Sequence, residues 1–122
     1  MSDLSISTRE DRGVTIVDTV GKIALGETSQ QLHSELRGLV DEGNKNILIN
    51  LSNIKMIDSS GLGTLVASYT TVERAGGQLK LTNLSDKASE LMTITKLYTV
   101  FDVFDDENAA VNSFSKAGEA AG

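Results

Sequence analysis

Residues 46–51, Asn-Ile-Leu-Ile-Asn-Leu, place four large aliphatic side chains in six positions without apolar–polar alternation. A strand of this kind has no face suited to water, so both of its faces need cover. The flanking segments can supply it. Leu32, Leu36, Leu39 and Val40 fall at i, i+4, i+7 and i+8 before the run, and Leu62, Leu65, Val66, Tyr69 and Val72 recur at helical spacing after it. Each set makes one apolar stripe on a helix. Alternating helix and buried strand argues for an α/β domain with mostly parallel pairing and right-handed crossovers.

The remaining segments extend that pattern. Leu4, Ile6 and Thr8 alternate with Ser5, Ser7 and Arg9, Asp11-Arg12-Gly13 reads as a turn, and the β-branched Val14–Val20 reads as the returning strand. Gly21–Gly26 reads as a connector, with Thr28 or Ser29 capping the first helix and Gly43 ending it in a left-handed conformation. Gly76-Gly77 closes the second helix, and Leu79 with Leu81 marks another strand. Ala88, Leu91 and Met92 predict a shorter helix and Val100–Phe104 a last strand. Asp105-Asp106-Glu107-Asn108 set negative charge at the start of a final helix, where its dipole favours it. The expected fold is an N-terminal β-hairpin strand joined to a mostly parallel β-sheet, with about four α-helices. The chain is expected to form a single domain over residues 1–117, with 118–122 a disordered tail.

Charge and composition remove several classes of function. A net charge of −6 argues against a nucleic-acid surface. No cysteine is present, which excludes thiol catalysis and thiolate metal sites and suits a cytoplasmic setting. The only histidine, His33, lies on the polar side of the first helix, so neither a metal site nor a Ser-His triad is expected. The first residues predict no secretory leader, and no window reaches the ~20 apolar residues of a membrane span. The expectation is a binding protein without cofactor, not an enzyme.

The chemistry concentrates at Asp58-Ser59-Ser60-Gly61-Leu62-Gly63. This segment stands at the mouth of a helix that follows a buried strand, on the sheet edge where α/β sites gather. One serine could simply cap the helix. The same place would also stabilise an added phosphate through free N–H groups and the helix dipole. The segment lacks the lysine and the spacing of a nucleotide-binding P-loop. Asp58 has no flanking acid or histidine, and fits a role in bonding loop N–H groups or orienting a serine. Met56, Ile57 and Leu62 fit either core packing or an exposed docking patch.

Ile57-Asp58-Ser59-Ser60-Gly61-Leu62-Gly63, together with Ala75-Gly76-Gly77 and Gly21, resembles the STAS family of anti-sigma factor antagonists, and the likeness extends from Leu4 to Phe114. The resemblance implies a phosphorylation-controlled partner switch with Ser59 as the phosphorylated residue. An anti-sigma factor that is itself a serine kinase would add the phosphate, and a metal-dependent serine phosphatase would remove it. The unphosphorylated form would bind the anti-sigma factor and release a sigma factor. Ser60 would be the helix-capping neighbour, Asp58 the residue that orients the loop, and Gly61 and Gly63 would keep it open. Family members often carry an acidic residue three positions after the matching glycine, where this chain has Ala24. Connectors leaving adjacent parallel strands share one sheet edge, which adds Gly21, Ile23 and Leu25 to Ile57 and Leu62 as the expected docking surface. The alternative is a STAS module that is not phosphorylated, acting as a scaffold or as a subunit of a lipid-transport complex.

Overall fold

A computed structural model describes the backbone of residues 4–24 and 26–121 and the side chains as far as residue 114. Leu25, expected at the docking surface, and Gly122 with the side chains of the expected tail lie outside the described residues.

The chain opens with an antiparallel hairpin, β1 (Leu4–Asp11) against β2 (Val14–Ile23), in a register running from Leu4 opposite Gly21 to Asp11 opposite Val14. Arg12 and Gly13 turn the corner with φ of 51° and 81°. Positive φ at both turn residues matches the natural twist of paired strands. Helices and strands then alternate: α1 (Glu27–Asp41), β3 (Asn46–Ile57), α2 (Ser59–Arg74), β4 (Gln78–Thr82), α3 (Asp86–Thr95), β5 (Val103–Phe104) and α4 (Glu107–Ala121). The sheet order is β1-β2-β3-β4-β5, parallel at every pairing after the first. The expected α/β class is the observed one.

The apolar run in β3 divides its side chains between two cores. Ile47, Ile49 and Leu51 join Leu32, Leu36, Leu62, Leu65 and Val72 on the face covered by α1 and α2. Leu48 points the other way, to Val14, Ile16, Ala110, Val111 and Phe114 beneath α4. Both faces are dry because successive strand residues alternate between them.

Several boundaries differ from expectation. Strand β2 continues through Gly21 and Lys22 to Ile23, and β3 runs on from Leu51 to Ile57. The β2–β3 register shifts between Asp18 and Val20 and again between Gly21 and Lys22, each time giving β3 an additional residue. Such β-bulges break the alternation by which strands are recognised. Thr28 does not cap α1. Its hydroxyl accepts from the Ala24 amide at 3.0 Å and lies 3.2 Å from the Ala24 carbonyl, while Gly26 begins the helix without a side-chain cap. The last strand, expected over Val100–Phe104, is only Val103–Phe104, and a short 3-10 turn at Leu97–Thr99 precedes it.

Charged side chains fasten α4 to the hairpin. Arg9 pairs with Asp18 at 2.7 Å and with Glu107 at 2.5 Å, and Arg12 donates to Asn108 and Asn112, both at 2.7 Å. The Arg9 guanidinium, helped by the Asn50 amide, holds the Asp18 carboxyl below the usual aspartate range. A depressed folded pKa stabilises the fold fully above the unfolded value, near pH ~4, and less as pH falls through the folded value. Urea midpoints are therefore expected to fall with acid below that range, and Asp18→Asn to remove part of the dependence. An unchanged acid profile in Asp18→Asn would show that the pair does not couple to folding.

Candidate functional site

The parallel strands β2 and β3 end side by side, with Ile23 opposite Ile57. The next residue, Asp58, donates its amide to the Ile23 carbonyl at 3.4 Å. Its backbone is extended, with φ −105° and ψ −175°, and its carboxylate accepts from the Gly61 amide at 2.8 Å. The Leu62 amide donates to the Asp58 carbonyl at 3.0 Å, closing the first turn of α2. Asp58 is thus the helix cap, the role expected of Ser60. An aspartate in this position satisfies an amide that the helix cannot reach and complements the positive end of the dipole.

Ser59 is the first helical residue and is exposed, whereas Ser60 is half-buried. A group attached to the Ser59 hydroxyl would stand in solvent at the helix N-terminus.

The two glycines of the loop have opposite surroundings. A Cβ on Gly61 would lie 2.1 Å from the Ile23 carbonyl oxygen and 2.8 Å from Cγ1 of Ile57. Gly61 is therefore where α2 rests on the strand ends, and it does not keep the loop open as expected. A Cβ on Gly63 would meet nothing within 4 Å. Gly63 is exposed and does leave the surface open.

The apolar residues expected on the docking surface are core residues. Ile23 is 0% exposed, Ile57 5% and Leu62 2%. They join α2 to the sheet, because a helix starting directly after a strand must bury its first apolar side chains beneath itself. Gly21 belongs to β2, between Leu4 of β1 and Ile54 of β3, with a φ of 121° that suits glycine at a bulge.

Beside Ser59, α1 and α2 border an open groove that the sequence reading missed. Gly26, Ser29 and Gln30 form one wall and Ser60, Gly63, Thr64 and Ala67 the other. The α2 wall had a readable signal, since its residues fall at i, i+3, i+4 and i+7 and are small. His33 lies with its Nε2 3.4 Å from the Thr71 hydroxyl, between the same two helices.

Among the described residues no group of three or more His, Asp or Glu side chains is placed to hold a metal ion. No helix among them is long and apolar enough to cross a membrane. The arrangement offers an exposed hydroxyl, a capped helix N-terminus and a shallow groove lined by small side chains.

Comparison with known proteins gives a consistent result. A family model of the STAS domain matches residues 5–110. An anti-sigma-B factor antagonist of Bacillus subtilis (strain 168) is 29% identical over 101 residues, which are 83% of this chain and 91% of that protein. An anti-sigma F factor antagonist of Paenibacillus polymyxa is 24% identical over 106 residues, 86% of this chain and 90% of the other. The structure of the Bacillus cell fate determinant SpoIIAA in its phosphorylated form aligns with a TM-score of 0.69 at 17% identity, over 90% of this chain and 99% of that one.

Proposed function

Because this chain belongs to the STAS domain family, we propose that it is a cytoplasmic anti-sigma factor antagonist switched by phosphorylation of Ser59. The exposed Ser59 hydroxyl at the capped N-terminus of α2 carries this reading. The names of the Bacillus and Paenibacillus relatives support the antagonist role. The Bacillus structural neighbour, in its phosphorylated form, supports control by phosphate.

In this reading the unphosphorylated protein places the α2 N-terminus and the groove beside it against an anti-sigma factor, and a sigma factor is released. The anti-sigma factor is also the serine kinase, and a metal-dependent phosphatase restores the free hydroxyl. A phosphate on Ser59 adds about −1.5 to −2 charges beside Asp58. The first-turn N–H groups and the dipole of α2 tolerate that charge. A closely fitted partner surface that is apolar or acidic does not. The protein acts by binding, and the chemistry is done on it by others.

The test is titration calorimetry with the anti-sigma factor of the same organism, after mass spectrometry has located the phosphate. Ser59→Ala should keep wild-type affinity. Phosphorylated wild type should bind at least tenfold more weakly, about 1.4 kcal/mol. Equal affinity of the two forms, or phosphate found on Ser60 alone, would overturn the proposal.

A further inference from the structure

The groove between α1 and α2 continues beyond the residues that border it near Ser59. Ser29 stands on its α1 wall and Ala67 on its α2 wall. Four residues after each come His33 and Thr71, one helical turn further along. These two meet across the helices, with Nε2 of His33 3.4 Å from the Thr71 hydroxyl. One more turn brings Arg37 on α1, at i+4 from His33, and Arg74 on α2, at i+3 from Thr71. Both arginines are exposed. Neither guanidinium has a hydrogen-bond or ion-pair partner among the described residues.

The acids of the two helices stand apart from these walls. Glu35, two positions from His33, falls on the opposite side of α1, and Glu27 and Asp41 are its end residues. Glu73 borders a separate hollow beside β4, with Tyr69 and Asp102. At the near end the Asp58 carboxylate accepts from the Gly61 amide. The groove therefore runs from the positive end of the α2 dipole to two arginines, with no carboxylate on its walls, in a chain whose net charge is −6. We infer that it receives an acidic segment of the anti-sigma factor, whose carboxylates meet Arg37 and Arg74; this rests on the antagonist reading given above. Arginine suits such a partner, because its planar fork binds a carboxylate through two hydrogen bonds. The rise along α2 from Ser59 to Arg74 is about 22 Å, which about seven extended residues span. One segment can thus touch both arginines and reach the modified serine. The groove is open along its length, which suits a chain laid in it better than a small anion, whose sites are enclosed. The same segment gives the phosphate a direct target. A charge of about −1.5 to −2 on Ser59 repels the carboxylates that the arginines attract.

The experiment is calorimetry of the unphosphorylated full chain with the anti-sigma factor of the same organism, at low and at moderate salt. Arg37→Glu with Arg74→Glu should weaken binding at least tenfold and flatten its salt dependence. Arg37→Gln with Arg74→Gln should weaken it less. Lys87→Glu with Lys96→Glu, exposed positions on and after α3, makes the same change in net charge and should leave affinity as it is. Circular dichroism should show all three variants folded, since every replaced side chain is exposed. The proposal is overturned by unchanged affinity of the arginine variants, or by equal loss in the lysine variant, which would report net charge alone. Saturable shifts of the Gly63, His33 and Arg74 amides with inorganic phosphate alone would give the groove to a small anion. Sedimentation that shows a wild-type dimer lost in Arg37→Glu with Arg74→Glu would give it to a second copy. Either result also overturns the proposal. Wild type that fails to bind the anti-sigma factor overturns the antagonist reading and this proposal together. Wild type that binds, with the arginine variants unchanged, overturns this proposal alone.

Discussion

Gly61→Ala is expected to destabilise the protein by about 3 kcal/mol, at the upper end of overpacking costs. The added methyl would stand 2.1 Å from the carbonyl oxygen of Ile23. That oxygen is not a flexible side-chain tip. It belongs to the last residue of β2, whose side chain is fully buried, and it already accepts the Asp58 amide. Relief requires α2 to lift from the sheet, which uncovers Leu62 and Leu65. Alanine is the better helix former by about 1 kcal/mol, but that gain is smaller than the steric cost. Urea unfolding followed by circular dichroism measures the difference. A midpoint equal to wild type would mean that the seat of α2 on the strand ends yields easily.

Gly63→Trp, only two positions along, should leave the fold intact and abolish partner binding, with affinity lowered more than 100-fold, about 2.7 kcal/mol. Space around Gly63 is open, and replacing glycine within a helix raises helix propensity. The indole would fill the groove beside Ser60 and Thr64, where the proposed partner would close on the helix. The urea midpoint should match or exceed wild type. A folded Gly63→Trp protein with unchanged affinity for the anti-sigma factor would place the interface away from the groove.

The contrast between these glycines marks how far the sequence could be read. Gly61 and Gly63 look alike in the chain, and both suggest an accessible loop. What each would touch depends on Ile23, a residue distant in sequence, and no local pattern reports that contact. Strand β3 divides in the same way. Its first half is plain from Ile47, Leu48 and Ile49. Its second half is hidden because the bulges space the buried residues Leu51, Ile54 and Ile57 three apart. That spacing imitates an irregular segment or a helix turn. Ile57 and Leu62 were legible as core or surface, and only their tertiary placement decides for core. The α1 side of the groove has no signal of its own, since nothing near Ser29 or Gln30 announces a neighbouring helix.

The seating of α2 has a consequence for how a switch at this site would respond. Gly61 leaves no room for even a methyl group between the first helical turn and the strand ends. An added group on Ser59, which is exposed, would stand outside this closely packed turn. In the proposed switch the unmodified turn would already present the binding surface, so partner affinity would carry no cost from a conformational pre-equilibrium. Occupancy would follow the ratio of kinase to phosphatase activity directly, graded in the amount of modified protein and without a threshold from the domain itself.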